Sequence, residues 1–197
     1  WGAMTTNAGQ PSTHRAYFAP LLATLTGAAA AGPAGRVEVV PTEFHWESVY
    51  VAPAVALARG WERQLDEADA PLFYGPAAGL DAASYRAWLL DNGVRFVALA
   101  DAPLDQAGRA EARLVTAGVP GLQLVWSSSH WRLYQVLGSS GIVAGPAHLV
   151  RQNGDQVTVA TPAAGPVLVR VRYSPDWELT AGAGCVAPAP PPSGARA

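Results

Sequence analysis

Three short strings set side chains of complementary chemistry next to one another: His45-Trp46-Glu47, the run Gly60-Trp61-Glu62-Arg63-Gln64-Leu65-Asp66, and His130-Trp131-Arg132. Aromatic faces beside carboxylates and a guanidinium suit a sugar, whose apolar C–H face stacks on a ring while its hydroxyls need both donors and acceptors. The candidate ligand-binding residues are therefore His45, Trp46, Glu47, Trp61, Glu62, Arg63, Asp66, His130 and Trp131. A second reading uses the same residues structurally. In it Trp46, Trp61 and Trp131 anchor the core, and Glu62, Arg63 and Asp66 pair locally to hold an irregular loop together.

Other chemistries find less to work with. Glu47, Glu62 and Asp66 are of the type that glycosidases set across a scissile bond, but a sequence gives no separation between them. His45, Glu47 and His130 are metal-ligand types. An i, i+2 pair shares a face only in an extended strand, however, and no second pair repeats the pattern, so no metal site is assigned. The chain has no GxSxG elbow, no Walker loop and no GxGxxG turn, and its single Cys185 lies in a Gly/Ala segment without a neighbouring base. No catalytic residue is assigned, and no cofactor is implied.

Arg15 to Ala31 carries Tyr17, Leu21, Leu22 and Leu25 near helical spacing and stops at Gly32-Pro33. Arg36 to Pro41 alternates as a strand. Thr42 to Gly79 is irregular, dense in aromatics and punctuated by Pro53, Pro71 and Pro76. Asp81 is the N-cap of a helix with Tyr85, Trp88 and Leu89 on one face and Gly93 at its C-terminal turn. Val94 to Ala100 is a strand, and Pro103 to Ala117 is a helix ending at Gly118, with Ala107, Ala110 and Leu114 at helical spacing. Leu122 to Ser127 and Trp131 to Val136 are strands. This succession predicts an α/β fold, a mixed sheet with flanking helices, over residues 15–138.

After Gly138-Ser139-Ser140-Gly141 the texture changes. His148 to Gln152, the turn Asn153-Gly154, Gln156 to Ala160 and Pro166 to Tyr173 predict a small antiparallel β unit over 141–186. Too few strands remain for a sandwich, so this unit is expected either to pack on the first domain or to be truncated. Residues 1–14 and the Pro-rich 187–197 read as tails. The chain begins at Trp1 and is expected to be an excised piece of a longer protein.

Composition narrows the function classes. Ala (39), Gly (20) and Pro (17) together exceed a third of the 197 residues, a bias that a high-GC genome produces by itself. The thirteen cations are all Arg, they are scattered, and the net charge is −2, so no basic field exists to neutralise a phosphate backbone and nucleic acid is excluded as a partner. Half the residues are apolar and seven are Trp, enough to bury a core. One Cys permits no internal disulfide. The longest weakly polar stretch, Ala19 to Gly35, falls short of the roughly 20 apolar residues of a membrane span.

Read in order, RVEVVP, HWES, VYVAP, LARGWERQLD, LFY, YRAWLLDNGVRFVALADAPLD, EARL, VW, SSHWRLYQV, VLVRVRYSPDWEL and GAGC resemble the soluble C-terminal region of polytopic membrane proteins of high-GC, actinobacterial-type bacteria, of the glycosyltransferase C-type and YfhO-like kinds. The resemblance covers roughly Pro11 to Cys185, and its most specific strings are Gly60 to Asp66, Tyr85 to Asp101 and His130 to Val136. It implies a noncatalytic domain on the extracytoplasmic face of the cell membrane, since such enzymes carry their catalytic carboxylate in an early loop of the membrane region. The implied partners are its own membrane domain in cis and a glycan or polyprenyl-linked sugar. The alternatives are a structural or assembly domain docking on that membrane region, and a soluble carbohydrate-active hydrolase.

Overall fold

The computed structural model describes residues 9–60, 67, 70–74 and 79–190 of the chain. The main body is a four-stranded mixed sheet with strands β1 (Arg36–Val39), β2 (Val94–Ala100), β3 (Leu122–Ser127) and β4 (Trp131–Val136). Their order is β1-β2-β4-β3, with β1 parallel to β2 and the other pairs antiparallel. Two small antiparallel ladders follow. One pairs β5 (Val143–Ala144) with β8 (Leu168–Val169), and the other pairs β6 (His148–Gln152) with β7 (Val157–Ala160). The chain is thus an α/β domain followed by a β unit, as its periodicity predicts.

Helix α1 (Arg15–Ala30) covers one face of the sheet, joined by the single turn α2 (Glu47–Tyr50). Tyr17, Phe18, Leu21 and Leu25 of α1 meet Val37 and Val39 of β1, Phe96, Ala98 and Ala100 of β2, and Trp131 and Leu133 of β4. Helices α3 (Ala82–Asp91) and α4 (Gln106–Ala117) cover the opposite face, where Tyr85, Leu89 and Val115 meet Val40, Val94, Val97, Leu99 and Val136. Strand β2 is therefore covered on both sides. That is why VRFVALA is an almost unbroken apolar run and not an alternating one.

Local signals set most boundaries. Asp81 caps α3 in a reciprocal box with Ser84, accepting from the Ser84 amide while the Ser84 hydroxyl accepts from the Asp81 amide. Asn92 ends the helix, and Gly93 follows at φ +63°. Helix α4 begins three residues later than the Pro103 signal suggests. Leu104 first bridges to Thr42, and it is the Asp105 carboxylate that caps the helix by accepting from the Ala107 amide. The residues just before α1 also differ from the expected tail. Pro11–Thr13 form a short 3₁₀ turn in which Ser12 and Thr13 are buried, and the Tyr50 hydroxyl donates to the Thr13 carbonyl.

The face of α4 differs from the apolar spacing of its sequence. Its buried residues are Gly108, Glu111 and Val115, not Ala107 and Ala110. Gly108 rides against Pro41, where a β-carbon would sit 2.9 Å from the Pro41 carbonyl oxygen. Glu111 enters the core because the neighbouring elements supply donors for it. Arg59 donates to both Glu111 and Glu38, the latter at 2.6 and 2.9 Å, and the Tyr85 hydroxyl donates to the second Glu111 oxygen at 2.6 Å. The Arg59 guanidinium also lies 3.7 Å above the Phe73 ring. This buried ionic group ties β1, α3, α4 and the irregular segment together.

The C-terminal strands are attached at one seam. The Ile142 amide donates to the Ala34 carbonyl, Arg36 donates to the Asn92 and Arg170 carbonyls, and Arg170 donates to the Gly141 carbonyl. Gly93 and Gly141 permit this seam. Both have positive φ, and a β-carbon on Gly93 would strike the Gly141 carbonyl while one on Gly141 would strike the Ala34 carbonyl. Beyond the seam the burial stops: from Ala144 to Pro190 no residue is buried.

Candidate functional site

The carboxyl ends of β1 and β2 lie side by side, and the loops that leave them carry two clusters of polar side chains. In the first, Asp101 follows the last residue of β2. Its two carboxylate oxygens are shared between the Tyr17 hydroxyl, which donates at 2.6 Å, and His130 Nδ1, at 2.9 Å. Tyr17 comes from α1 and His130 from the turn between β3 and β4, so three distant segments converge on one carboxylate. The Tyr17 and His130 rings also pack together, with centroids 4.9 Å apart.

Position explains each contribution. The Asp101 amide donates to the His130 carbonyl as β2 and β4 finish their ladder, which brings the two side chains together at the rim. Behind them Trp131 is 1% exposed and its indole N–H donates to the Tyr17 carbonyl at 2.9 Å. Trp131 therefore fixes α1 against the sheet, and its ring faces the core. Partial burial by itself would raise the Asp101 carboxyl, but the hydrogen bonds from Tyr17 and His130 outweigh it and hold Asp101 below the usual carboxylate range. Burial, then the hydrogen bond to Asp101, pushes the Tyr17 phenol far above its ordinary value, so it stays a neutral donor. Ionised Asp101 can only accept, so His130 donates to it from Nδ1.

The second cluster sits on the loop after β1. The Thr42 amide and hydroxyl donate to the two oxygens of Glu47, at 3.1 and 2.6 Å, which closes the turn and buries Glu47. Inside this turn His45 has φ +55°, the only positive φ at a non-glycine among the described residues. Its ring lies between two carboxylates, with Nδ1 3.4 Å from Glu47 and Nε2 3.7 Å from Asp105. Trp46 is half-buried and stacks on Tyr50 at 5.4 Å.

Aromatic rings link the clusters: Trp46 on Tyr50, Tyr50 with Phe18 at 5.3 Å, Phe18 with Tyr17 at 5.5 Å, and Tyr17 with His130. Of the residues singled out in the sequence, the structure thus brings His45, Trp46, Glu47, His130 and Trp131 to one end of the sheet. Trp61, Glu62, Arg63 and Asp66 lie outside the described residues. Sequence reasoning missed Tyr17, Thr42, Asp101 and Asp105. The signal for Asp101 was its place at the carboxyl end of an apolar strand, where ligands collect in open α/β sheets, and that for Asp105 its place as a cap before a helix.

The chemistry available is that of donors and acceptors. Among the described residues no three His, Cys, Asp or Glu side chains converge as a metal site. No family model matches the chain, and no match to it is found among curated proteins or solved structures.

Proposed function

We propose that this chain is a noncatalytic extracytoplasmic domain of a membrane glycosyltransferase-like protein, and that it docks on its own membrane region through its C-terminal strands. The observation that carries the reading is the absence of any buried residue from Ala144 to Pro190. These residues form two ladders and hold their turns, yet Val150, Leu168, Tyr173, Leu179 and Val186 are exposed at 39–59%. A strand pair with an uncovered face is marginal in water unless something packs on it. The resemblance of the sequence to the soluble part of polytopic membrane proteins supplies the partner, the membrane region of the same polypeptide. No described helix is long and apolar enough to cross a membrane, so anchoring falls to segments other than these helices.

The test is cysteine accessibility. With Cys185 replaced by Ser, a Val150→Cys side chain is labelled rapidly by a membrane-impermeant maleimide in the isolated chain, and is protected in the membrane-embedded parent protein. Equal labelling in both overturns docking through this face.

A second reading, contact with a glycan, is supported by the first cluster. His130 and Asp101 keep 45% and 52% of their side-chain surface exposed although both are held in fixed geometry. Exposed polar groups locked by internal hydrogen bonds are preorganised for a ligand, because their ordering cost is already met by the fold. Saturation-transfer NMR with neutral oligosaccharides tests this reading; complete absence of transfer to any sugar contradicts it.

A further inference from the structure

We infer that Asn153 is a site of spontaneous deamidation, converted to aspartate and isoaspartate through a succinimide, and that the fold holds the chain's other Asn-Gly pair, Asn92-Gly93, from the same reaction. The inference is independent of docking and of the glycan reading.

The dipeptide Asn-Gly occurs twice, at 92–93 and 153–154. It is the pair most open to ring closure, because glycine has no side chain to shield the amide nitrogen that must attack. The reaction balances without a redox partner. The Gly154 amide gives its proton to a solvent base, its nitrogen bonds to Cγ of Asn153, and the Cγ–Nδ2 bond breaks to release ammonia. Water then opens the five-membered imide at either carbonyl, giving aspartate or isoaspartate.

At Asn153 every participant is available. Asn153 and Gly154 are exposed in the loop between β6 and β7, and a β-carbon on Gly154 would meet nothing within 4 Å. The Gly154 amide has no hydrogen-bond partner among the described residues. The carbonyl to be attacked is polarised, since Asn153 Oδ1 accepts from the Gln156 amide at 2.7 Å and from the Asp155 amide at 3.3 Å. Both donors face the oxygen on which negative charge develops as the nitrogen attacks, as in an oxyanion hole. Neither Asn153 nor Gly154 has a positive φ, so the loop is not the two-residue I′ turn that Asn-Gly favours. It is closed further out, by the Asn153 amide on the Gln156 carbonyl, which leaves the Asn153–Gly154 peptide outside the ladder.

At Asn92 the same atoms are engaged. The leaving nitrogen, Nδ2, donates to the Trp88 carbonyl at 2.9 Å, and the attacking nitrogen of Gly93 donates to the Leu90 carbonyl at 3.1 Å. Arg36 holds the peptide from both sides. Its guanidinium donates to the Asn92 carbonyl at 2.7 Å and its amide to the Gly93 carbonyl at 3.0 Å. Ring closure must rotate this peptide and break these bonds, so it waits on local opening where α3 joins β2. The consequence of reaction therefore falls on the β unit. Either product adds a negative charge beside Asp155, and isoaspartate also adds a methylene to the backbone next to the Gln152–Val157 pair that ends the ladder.

The experiment is ageing of the full 197-residue chain at mildly alkaline pH, folded and in urea, then tryptic digestion and mass spectrometry against an unaged digest. Cleavage at Arg places Asn92 in the peptide Ala87–Arg95 and Asn153 in Gln152–Arg170, so one sample reads both. In the folded chain Asn153 is expected to convert roughly tenfold or more faster than Asn92, as two chromatographic isomers, and in urea the two rates come together. Gly154→Ala, which has room for its methyl group, is expected to slow conversion at Asn153 severalfold with the thermal midpoint nearly unchanged. Equal rates in the folded chain, faster reaction at Asn92, or no reaction at Asn153 overturns the inference. Aspartate without isoaspartate, or an unchanged rate in Gly154→Ala, overturns attack by the Gly154 amide.

Discussion

Asp101 accepts two hydrogen bonds at a rim where it is half exposed, and its carboxyl is held below the usual range. Because its folded value lies below the unfolded one of about 3.9, its ionised form favours the folded state above that pH. The contribution is lost as pH falls through the folded value. Urea unfolding followed at several acidic pH values should therefore show a shallower acid-side loss of stability for Asp101→Asn than for the parent; identical slopes contradict the assignment. The buried ionic group makes a larger claim. Arg59→Ala takes from Glu38 and Glu111, both buried, the guanidinium they share, and is expected to cost about 3–5 kcal/mol in the same assay. Tyr85→Phe, which takes one donor from Glu111, is expected to cost about 1–3 kcal/mol. Ser12 supplies a test of opposite sign. Its hydroxyl is buried without a hydrogen-bond partner among the described residues, so Ser12→Ala is expected to leave the thermal midpoint unchanged or to raise it.

Elements whose signals are local were legible in the sequence, and those that depend on distant partners were not. Strands β2, β3 and β4 end where their apolar runs end, and α3 starts where Asp81 caps it. Strand β5 went unseen because two residues carry no period, and the 166–173 run shrinks to Leu168–Val169 because only that stretch finds β5 to pair with. The buried face of α4 was hidden because Glu111 looks solvent-facing until Arg59 and Tyr85 are placed beside it. The seam between sheet and β unit depends on Gly141, which reads in the sequence only as part of a loop. Gly141→Ala forces a β-carbon against the Ala34 carbonyl at a φ of +74°, a conformation that alone costs roughly 1–2 kcal/mol for an L-residue. Hydrogen exchange should show the Ile142 amide, bonded to Ala34, losing protection in this variant while the amides of β2 keep theirs.

At the scale of the whole molecule, the sheet and its helices carry the stability and the last strands carry exposed surface. The sheet and its three longer helices bury both faces of β2, whereas the strands after Ala144 bury nothing fully. The chain has no Lys, so trypsin cuts it only at Arg, and it is expected to cut first at the exposed Arg151 and Arg172 while the body through Val136 persists. The candidate site was half legible on this scale. His45-Trp46-Glu47 and His130-Trp131 announced themselves as local strings, but Asp101 and Tyr17 are 29 residues from His130 and 84 residues from Asp101 respectively, and only the fold joins them. The central claim is that residues 144–190 are covered by the membrane region of the parent protein. Amide hydrogen exchange of that stretch, compared between the isolated chain and the parent protein in lipid nanodiscs, tests it most directly. The account predicts rapid exchange along β6 and β7 in isolation and strong protection in the parent; equally rapid exchange in both would contradict it.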